Sequence, residues 1–347
     1  MASSVLIGIP YSISDWEYNL QLTLASIWHS LGKDVDVIVV TDEGVPPLYL
    51  PVPVDRYKPI YQANVIGHGL GKARNVAGMY AYKNKYDCLI FMDSHMIILS
   101  DDFLKICKSK LGQPRIVAAE ARWSPVMTID QYFMTMKINY DSFTLGSFLH
   151  KKTWQWAYII ATATRKTIMT TEPSFSISYD VIEALIQAQG KLTLADYWGK
   201  ENFDMTVSAA RLGYDIDIYP EVSIAHVYKD EKAPFWKIRF KSEDCRHEPY
   251  CGILQGSVYL NGIIWGDCVY ALKHYDSVDD LPVNKDVCEL VKEYDPDAMM
   301  RIKMFNEHAK YSLDDVYRRL DEYLKGGEYV WVEDKQDNKQ SSTPQNN

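Results

Sequence analysis

The sequence predicts an α/β protein, a mixed, mainly parallel sheet flanked by helices, with a mostly helical C-terminal extension. Three observations carry that expectation. Short apolar runs that read as buried strands alternate with helix-spaced segments between residues 5 and 95. Polar side chains gather where those strands end. Past residue 230 helical spacing takes over.

VLIGIP (5–10) reads as the first buried strand, followed from Asp15 by helical spacing through Leu20, Leu24 and Ile27. VDVIVVTDEG (35–44) is a second strand that runs out into acidic and glycine turn residues. NVIGHGLGKARNVAGMYAYKN (64–84) opens as a glycine-rich turn and continues as a helix with Val76, Tyr80 and Ala81 on one side. CLIFMDSH (88–95) is the third strand. This order predicts parallel strands joined by right-handed crossovers, with a ligand beyond their carboxyl ends. Pro10-Tyr11, Thr41-Asp42-Glu43 and Asp93-Ser94-His95 then surround one crevice.

Residues 120–175 are rich in aromatic and basic side chains, show few clear strands, and read as an acceptor-side insertion. Within it Trp154 to Ile160, flanked by Lys151, Lys152, Arg165 and Lys166, reads as an amphipathic helix over the core, in preference to a membrane-surface segment. FSISYDVIEALIQAQGK (175–191) is a strand passing into a helix that ends near Gly190. YDIDIYPEVSIAHVYK (214–229) reads as two short strands broken by Pro220. Residues 231–333 form the helical extension, and the polar 334–347 tail is expected to be disordered.

A chain of 347 residues with a formal net charge of −9 lacks the basic balance of a general nucleic-acid binder. Met1-Ala2-Ser3-Ser4 leads into a strand without a basic n-region, and no apolar run is long enough to cross a bilayer, so the expected location is cytoplasmic. The six cysteines, at 88, 107, 245, 251, 268 and 288, are scattered. DCRHEPYC gathers Cys245, His247 and Cys251, but without the C-x-x-C spacing of structural zinc, so ordinary thiols are expected.

Four short stretches carry chemistry. An ionised Asp93 at the end of an apolar strand, with His95 two residues on, is costly unless paired, hydrogen-bonded or bound to a cation. Its bland alternative is a turn cap. GHGLGKARN lacks the lysine-serine or lysine-threonine ending of a P-loop and read alone is a tight turn, yet Lys72 and Arg74 open a helix where a phosphate could approach its N-terminus. YWGKENFD puts Trp198, Glu201, Asn202 and Asp204 at a helix start, where acidic residues also serve as simple caps. SIAHVYK sets His226 late in a β-like segment, with Lys229 just beyond.

In this order the motifs resemble the nucleotide-sugar glycosyltransferases of the GT-A fold, in particular the polypeptide N-acetylgalactosaminyltransferases and their family-2-like relatives. The resemblance covers roughly residues 4–230 and makes 1–230 the catalytic domain. It implies that Asp93 and His95 (the family's Asp-x-His) and His226 bind a divalent metal. It implies nucleotide-sugar contacts from Pro10, Asp42, Gly71, Arg74, Asp93, Trp198 and Lys229. The family's Trp-Gly-Gly-Glu-Asn matches Trp198, Gly199, Glu201 and Asn202, with Lys200 replacing the second glycine. Pro173-Ser174 stands where the family carries a glycine pair, so the sugar's identity does not carry across.

The implied activity is transfer of a sugar from a UDP-sugar to a glycan, protein or small-molecule acceptor. One carboxylate and two imidazoles suit Mn²⁺ better than Mg²⁺. Such a cation neutralises the leaving diphosphate, and Arg74 and Lys229 add fixed charge. Inverting relatives place an Asp base where this chain has Asn202, so retention is expected, with Glu201 as the charge-bearing residue. Asp204, one turn on, stands as an alternative base. Three other readings remain: an inverting family-2-like enzyme, a nucleotidyltransferase, and a silent sugar-nucleotide or glycan binder on the same fold. IPYSISDWEYN lacks the glycine-rich basic loop that a nucleotidyltransferase would show after its first strand.

Overall fold

The computed structural model describes residues 5–11, 17–31, 35–41, 69–98, 115–124, 145–154, 156–160, 165–167, 174–197, 199–227, 253–254, 258–325 and 328–331. Its main sheet contains β1 (Val5–Tyr11), β2 (Asp36–Thr41), β3 (Cys88–Phe91), β4 (Met96–Ile98), β5 (Arg115–Ser124), β8 (Arg165–Thr167), β9 (Phe175–Ser178) and β10 (Asp215–Val227). The order is β2-β1-β3-β9-β5-β10-β4, with β8 also pairing β10. β1 runs parallel to β2 and β3, and β5 parallel to β10, while β9, β4 and β8 run the other way. The carboxyl ends of β1 and β3 therefore share one edge.

Side chains of β1 alternate between two cores, as the period of a strand requires. Val5, Ile7 and Ile9 pack with Val37, Val39 and Ile90 against Leu20, Leu24 and Ile27 of α1 (Glu17–Leu31). Leu6, Ile38, Leu89 and Phe91 face the opposite core, lined by α2 (Leu70–Asn84), α3 (Tyr179–Gln189) and α4 (Glu201–Arg211). Gly190, at φ +79, ends α3 in the left-handed conformation that glycine adopts without strain.

Four further helices follow: α5 (Val258–His274), α6 (Lys285–Tyr294), α7 (Pro296–His308) and α8 (Leu313–Leu324). Tyr270, Phe305, Val316 and Leu320 belong to the same core as Leu89 and Phe175, so this helical region packs directly on the sheet's helices. No described helix is long and apolar enough to cross a membrane.

Several expectations need correction. Trp156–Ile160 is not a helix but β7, which joins β6 (Leu145–Leu149) and β11 (Glu328–Trp331) in a small antiparallel sheet. Its aromatic and β-branched run suits a strand as well as a helix face, and the partner strands decide. The 120–175 region thus contains more strand than expected. β10 is one continuous strand, and its register against β5 shifts between Tyr219 and Ser223, so Pro220 sits at an irregularity rather than a break. Cys268 and Cys288 form a disulfide between α5 and α6, with Cα atoms 4.9 Å apart, where free thiols were expected. Cys245, His247, Cys251 and the 334–347 tail lie outside the described residues.

Candidate active site

Three elements converge on Arg74. α2 carries it, and the side chain is only 1% exposed. Phe91 of β3 and Phe175 of β9 are register partners, with ring centroids 5.3 Å apart. The guanidinium lies over both rings, at 5.4 and 5.5 Å, which provides a cation–π floor. Nη2 donates to Oδ1 of Asp93 at 3.4 Å, and Nη1 lies 3.9 Å from Oε1 of Glu201. Nε and Nη1 find no hydrogen-bond acceptor among the described residues. Buried guanidinium donors are seldom left that way unless water, an ion or a ligand completes them.

The glycines around Arg74 act through close approach. A Cβ on Gly71 would overlap the carbonyl oxygen of Ala195, and one on Gly69 that of Asp196. Lys72 N donates to that same Asp196 oxygen at 3.0 Å. Gly71, expected beside the nucleotide, lets α2 seat on the 195–196 backbone. Asn75 exchanges two hydrogen bonds with Thr193, at 2.9 and 3.0 Å, which locks the same seam.

Glu201 opens α4 and is buried. Gly199 N donates to its Oε2 at 2.7 Å, from a φ of +118 that a side chain would strain. Burial pushes this carboxyl above the usual carboxylate range. Arg74 and the backbone donors pull the other way without cancelling it, and Asp93 adds to the rise. Asn202, also buried, brings an amide that cannot take a proton as a base.

Asp93 follows β3, and His95 lies in the turn leading to β4. Met92 N donates to Gly8 O at 3.1 Å, so this turn runs beside β1 and the half-buried Pro10. β10 pairs antiparallel with β4, and His226 is the register partner of Met96. The backbone of His226 is thus next to that of His95, although its side chain lies outside the described set. Among the described residues no three His, Cys, Asp or Glu side chains gather as a metal cluster. Asp42, Trp198 and Lys229 lie outside the described residues.

Asp204 is the clear departure from expectation. Its carboxylate is fully buried, taking Lys273 Nζ at 2.7 Å and His274 Nε2 at 2.9 Å on Oδ1. Oδ2 takes Thr193 Oγ1 at 2.9 Å and Leu194 N at 2.6 Å. Burial alone would raise this carboxyl, but Lys273 and His274 hold it well below the usual range. A carboxylate so committed cannot serve as a general base, which removes the alternative role considered for it. Burial also takes the Lys273 ammonium down to about 8 and the His274 imidazole down to about 3, against the pull of Asp204. His274 is therefore neutral near pH 7. Its Nε2 donates to Asp204, and Nδ1, 3.3 Å from Arg211 Nη1, accepts.

No protein-family model and no curated protein matches the sequence. Among solved structures, the crystal structure of GalNAc-T7 with UDP, GalNAc and Mn²⁺ is similar, with a TM-score of 0.53 over 94% of this chain at 11% identity. The fold is GT-A. This chain spans 58% of the length of that one.

On this GT-A scaffold Arg74, Asp93 and Glu201 meet at the carboxyl edge shared by β1 and β3, where open α/β sheets bind ligands. Lys273, His274 and Asp267 went unnoticed in the sequence. ALKHY at the end of a helical run reads as basic residues complementing a helix C-terminus, with nothing local to indicate a carboxylate partner near residue 204.

Proposed function

We propose that this GT-A chain is a metal-dependent glycosyltransferase that moves a sugar from a UDP-sugar to an acceptor with retention of anomeric configuration. The observation that carries the reading is the buried Arg74, held between Asp93 and Glu201 with two donor edges unmatched among the described residues. A diphosphate oxygen is the natural complement to such a fork. The choice of UDP draws support from the similar structure, which contains UDP, GalNAc and Mn²⁺.

Asp93, His95 and His226 would hold the cation, an oxygen and two imidazoles on adjacent backbone segments, a donor set that suits Mn²⁺. When bound, Mn²⁺ supplies charge neutralisation for the departing diphosphate. Arg74 adds fixed charge to the same group. Glu201 lends negative charge where the sugar becomes cationic, and the leaving diphosphate takes the acceptor's proton. Retention fits the chemistry of the α4 start, since Asn202 is an amide and Asp204 is committed to Lys273. In this reading residues 1–230 form the catalytic unit, with 120–175 on the acceptor side.

The test is hydrolysis and transfer with a panel of UDP- and GDP-sugars in the presence and absence of Mn²⁺, with the product's anomeric configuration read by NMR. Mn²⁺-dependent release of UDP and a retained product are expected, and Asp93→Ala, His95→Ala and His226→Ala each abolish it. Release unaffected by the triple substitution would remove the metal assignment. Tight UDP binding without turnover would favour a sugar-nucleotide binder instead.

A further inference from the structure

α4 begins without a local cap. Its N-cap residue is Lys200, whose side chain makes no capping hydrogen bond, whereas Asn284, Asp295 and Ser312 cap α6, α7 and α8. Gly199 N holds Oε2 of Glu201 locally at 2.7 Å, and the 3.9 Å approach of Arg74 is too long to add to that, so what fixes the turn as a whole must come from outside α4.

α5 supplies two ion pairs to that turn. Asp267 Oδ1 lies 3.4 Å from Lys200 Nζ, immediately before Glu201. Lys273 Nζ lies 2.7 Å from Asp204 Oδ1, one turn after Lys200. The two α5 residues are about 9 Å apart along their axis, so they reach both ends of the first turn of α4. Farther up α5, Gly262 abuts Tyr197, where a Cβ would come within 2.6 Å of the ring. Trp154 closes the other side: its ring lies 4.9 Å from Lys200 Nζ, and its Nε1 donates to Tyr275 at 3.1 Å. Asp204 in turn holds Thr193 and Leu194, and Thr193 is bonded to Asn75, the residue after Arg74.

We propose that α5 is the positioning element of the active site, with Asp267 and Lys273 clamping the Glu201 turn from both sides and setting its carboxylate relative to Arg74. The inference rests on the proposed role of Glu201 for its catalytic consequence, and on geometry alone for the clamp. The two pairs differ in a way that helps a test. Lys200 and Asp267 are 13% and 28% exposed, and burial raises the Asp267 carboxyl in spite of Lys200, so neutralising that carboxylate costs the fold little. Lys273 and Asp204 are fully buried, and breaking that pair threatens the fold.

Asp267→Asn is therefore the informative variant, with the charge swap Lys200→Asp/Asp267→Lys as its rescue. Amide exchange by mass spectrometry reads the 199–204 segment, where Gly199 N–H reports its bond to Glu201 directly. Asp267→Asn is expected to melt within a few degrees of wild type yet exchange there about tenfold faster, and the swap to restore slow exchange. With UDP-GalNAc and Mn²⁺ as the probe, kcat should fall by about 10- to 100-fold at nearly constant KM, and recover in the swap. Wild-type exchange in 199–204 for Asp267→Asn, or faster exchange that the swap does not reverse, would overturn the clamp. If wild type neither binds nor cleaves UDP-GalNAc or any other sugar nucleotide of the panel, the glycosyltransferase reading fails, and the exchange result still decides the clamp.

Discussion

Glu201 is held at a cost. Its carboxyl is raised above the usual range because burial outweighs the help from Arg74, so between the unfolded and folded pKa values there is a window in which the folded chain holds this proton and the unfolded chain does not. The native state binds more protons than the unfolded state in that window, so this group's contribution to stability falls as pH rises through it. Glu201→Gln should therefore melt at a higher temperature than wild type at pH 7, since the amide oxygen can still accept from Gly199. Turnover should drop about 100-fold or more while UDP binding survives, because the lost charge matters mainly in the transition state. Calorimetric melting and steady-state kinetics check the pair of outcomes; a less stable variant with normal turnover would contradict both.

At the scale of elements, the α4–α5 seam sets a buried ionic cluster, Asp204 with Lys273 and His274, into an apolar core. Asp204→Asn leaves Lys273 without its counter-charge in a site closed to water, and should cost about 3–5 kcal/mol in urea unfolding. Pairing it with Lys273→Met should recover much of that loss, since an apolar side chain of similar volume needs no partner. His274 gives the seam a pH signature. It faces Asp204, Lys273 and Arg211, and stacks near Tyr270 and Phe305. Its pKa is lowered from 6.5 to about 3, so between those values the unfolded chain binds the extra proton and stability declines as pH falls. His274→Gln should flatten that slope relative to wild type between pH 7 and pH 4, measured by denaturant midpoints at each pH. An unchanged slope would mean that His274 is not buried neutral.

For the whole molecule, the proposed ligand edge lies where the strand ends, α2 and α4 meet, and a ligand bridging them would stabilise the native state by mass action. UDP with Mn²⁺ should raise the melting temperature, by the equivalent of about 2.7 kcal/mol at a hundredfold excess over Kd. UDP-sugars should shift it more than GDP-mannose does. A thermal-shift series over both nucleotides decides this, and a larger shift with GDP-mannose would exclude the uridine assignment. Because α5, α7 and α8 share their core with the sheet's helices, that stabilisation should appear as one transition and not two.

The first half of the main sheet was legible because its strands are buried on both faces and read as unbroken apolar runs, with α1 and α2 between them at helical spacing. The α3 stop at Gly190 was equally legible, since glycine tolerates the left-handed turn that ends a helix. Arg74, Asp93 and Glu201 stood out as strand-end and helix-start residues, and the structure brings their side chains together. Trp156–Ile160 misled because five aromatic and aliphatic residues suit either period, and β6 and β11 decide between them. Asp204 misled for a deeper reason. A carboxylate in the first turn of a helix looks the same in sequence whether it faces solvent or a buried ammonium. Backbone periodicity is fixed by neighbours within a turn or two, so the sequence by itself determined the alternation of elements and the edge at which Asp93 ends its strand. The partner of Asp204 lies on a helix far along the chain, and only the packing of α5 against α4 decided that this carboxylate is committed to a buried ammonium.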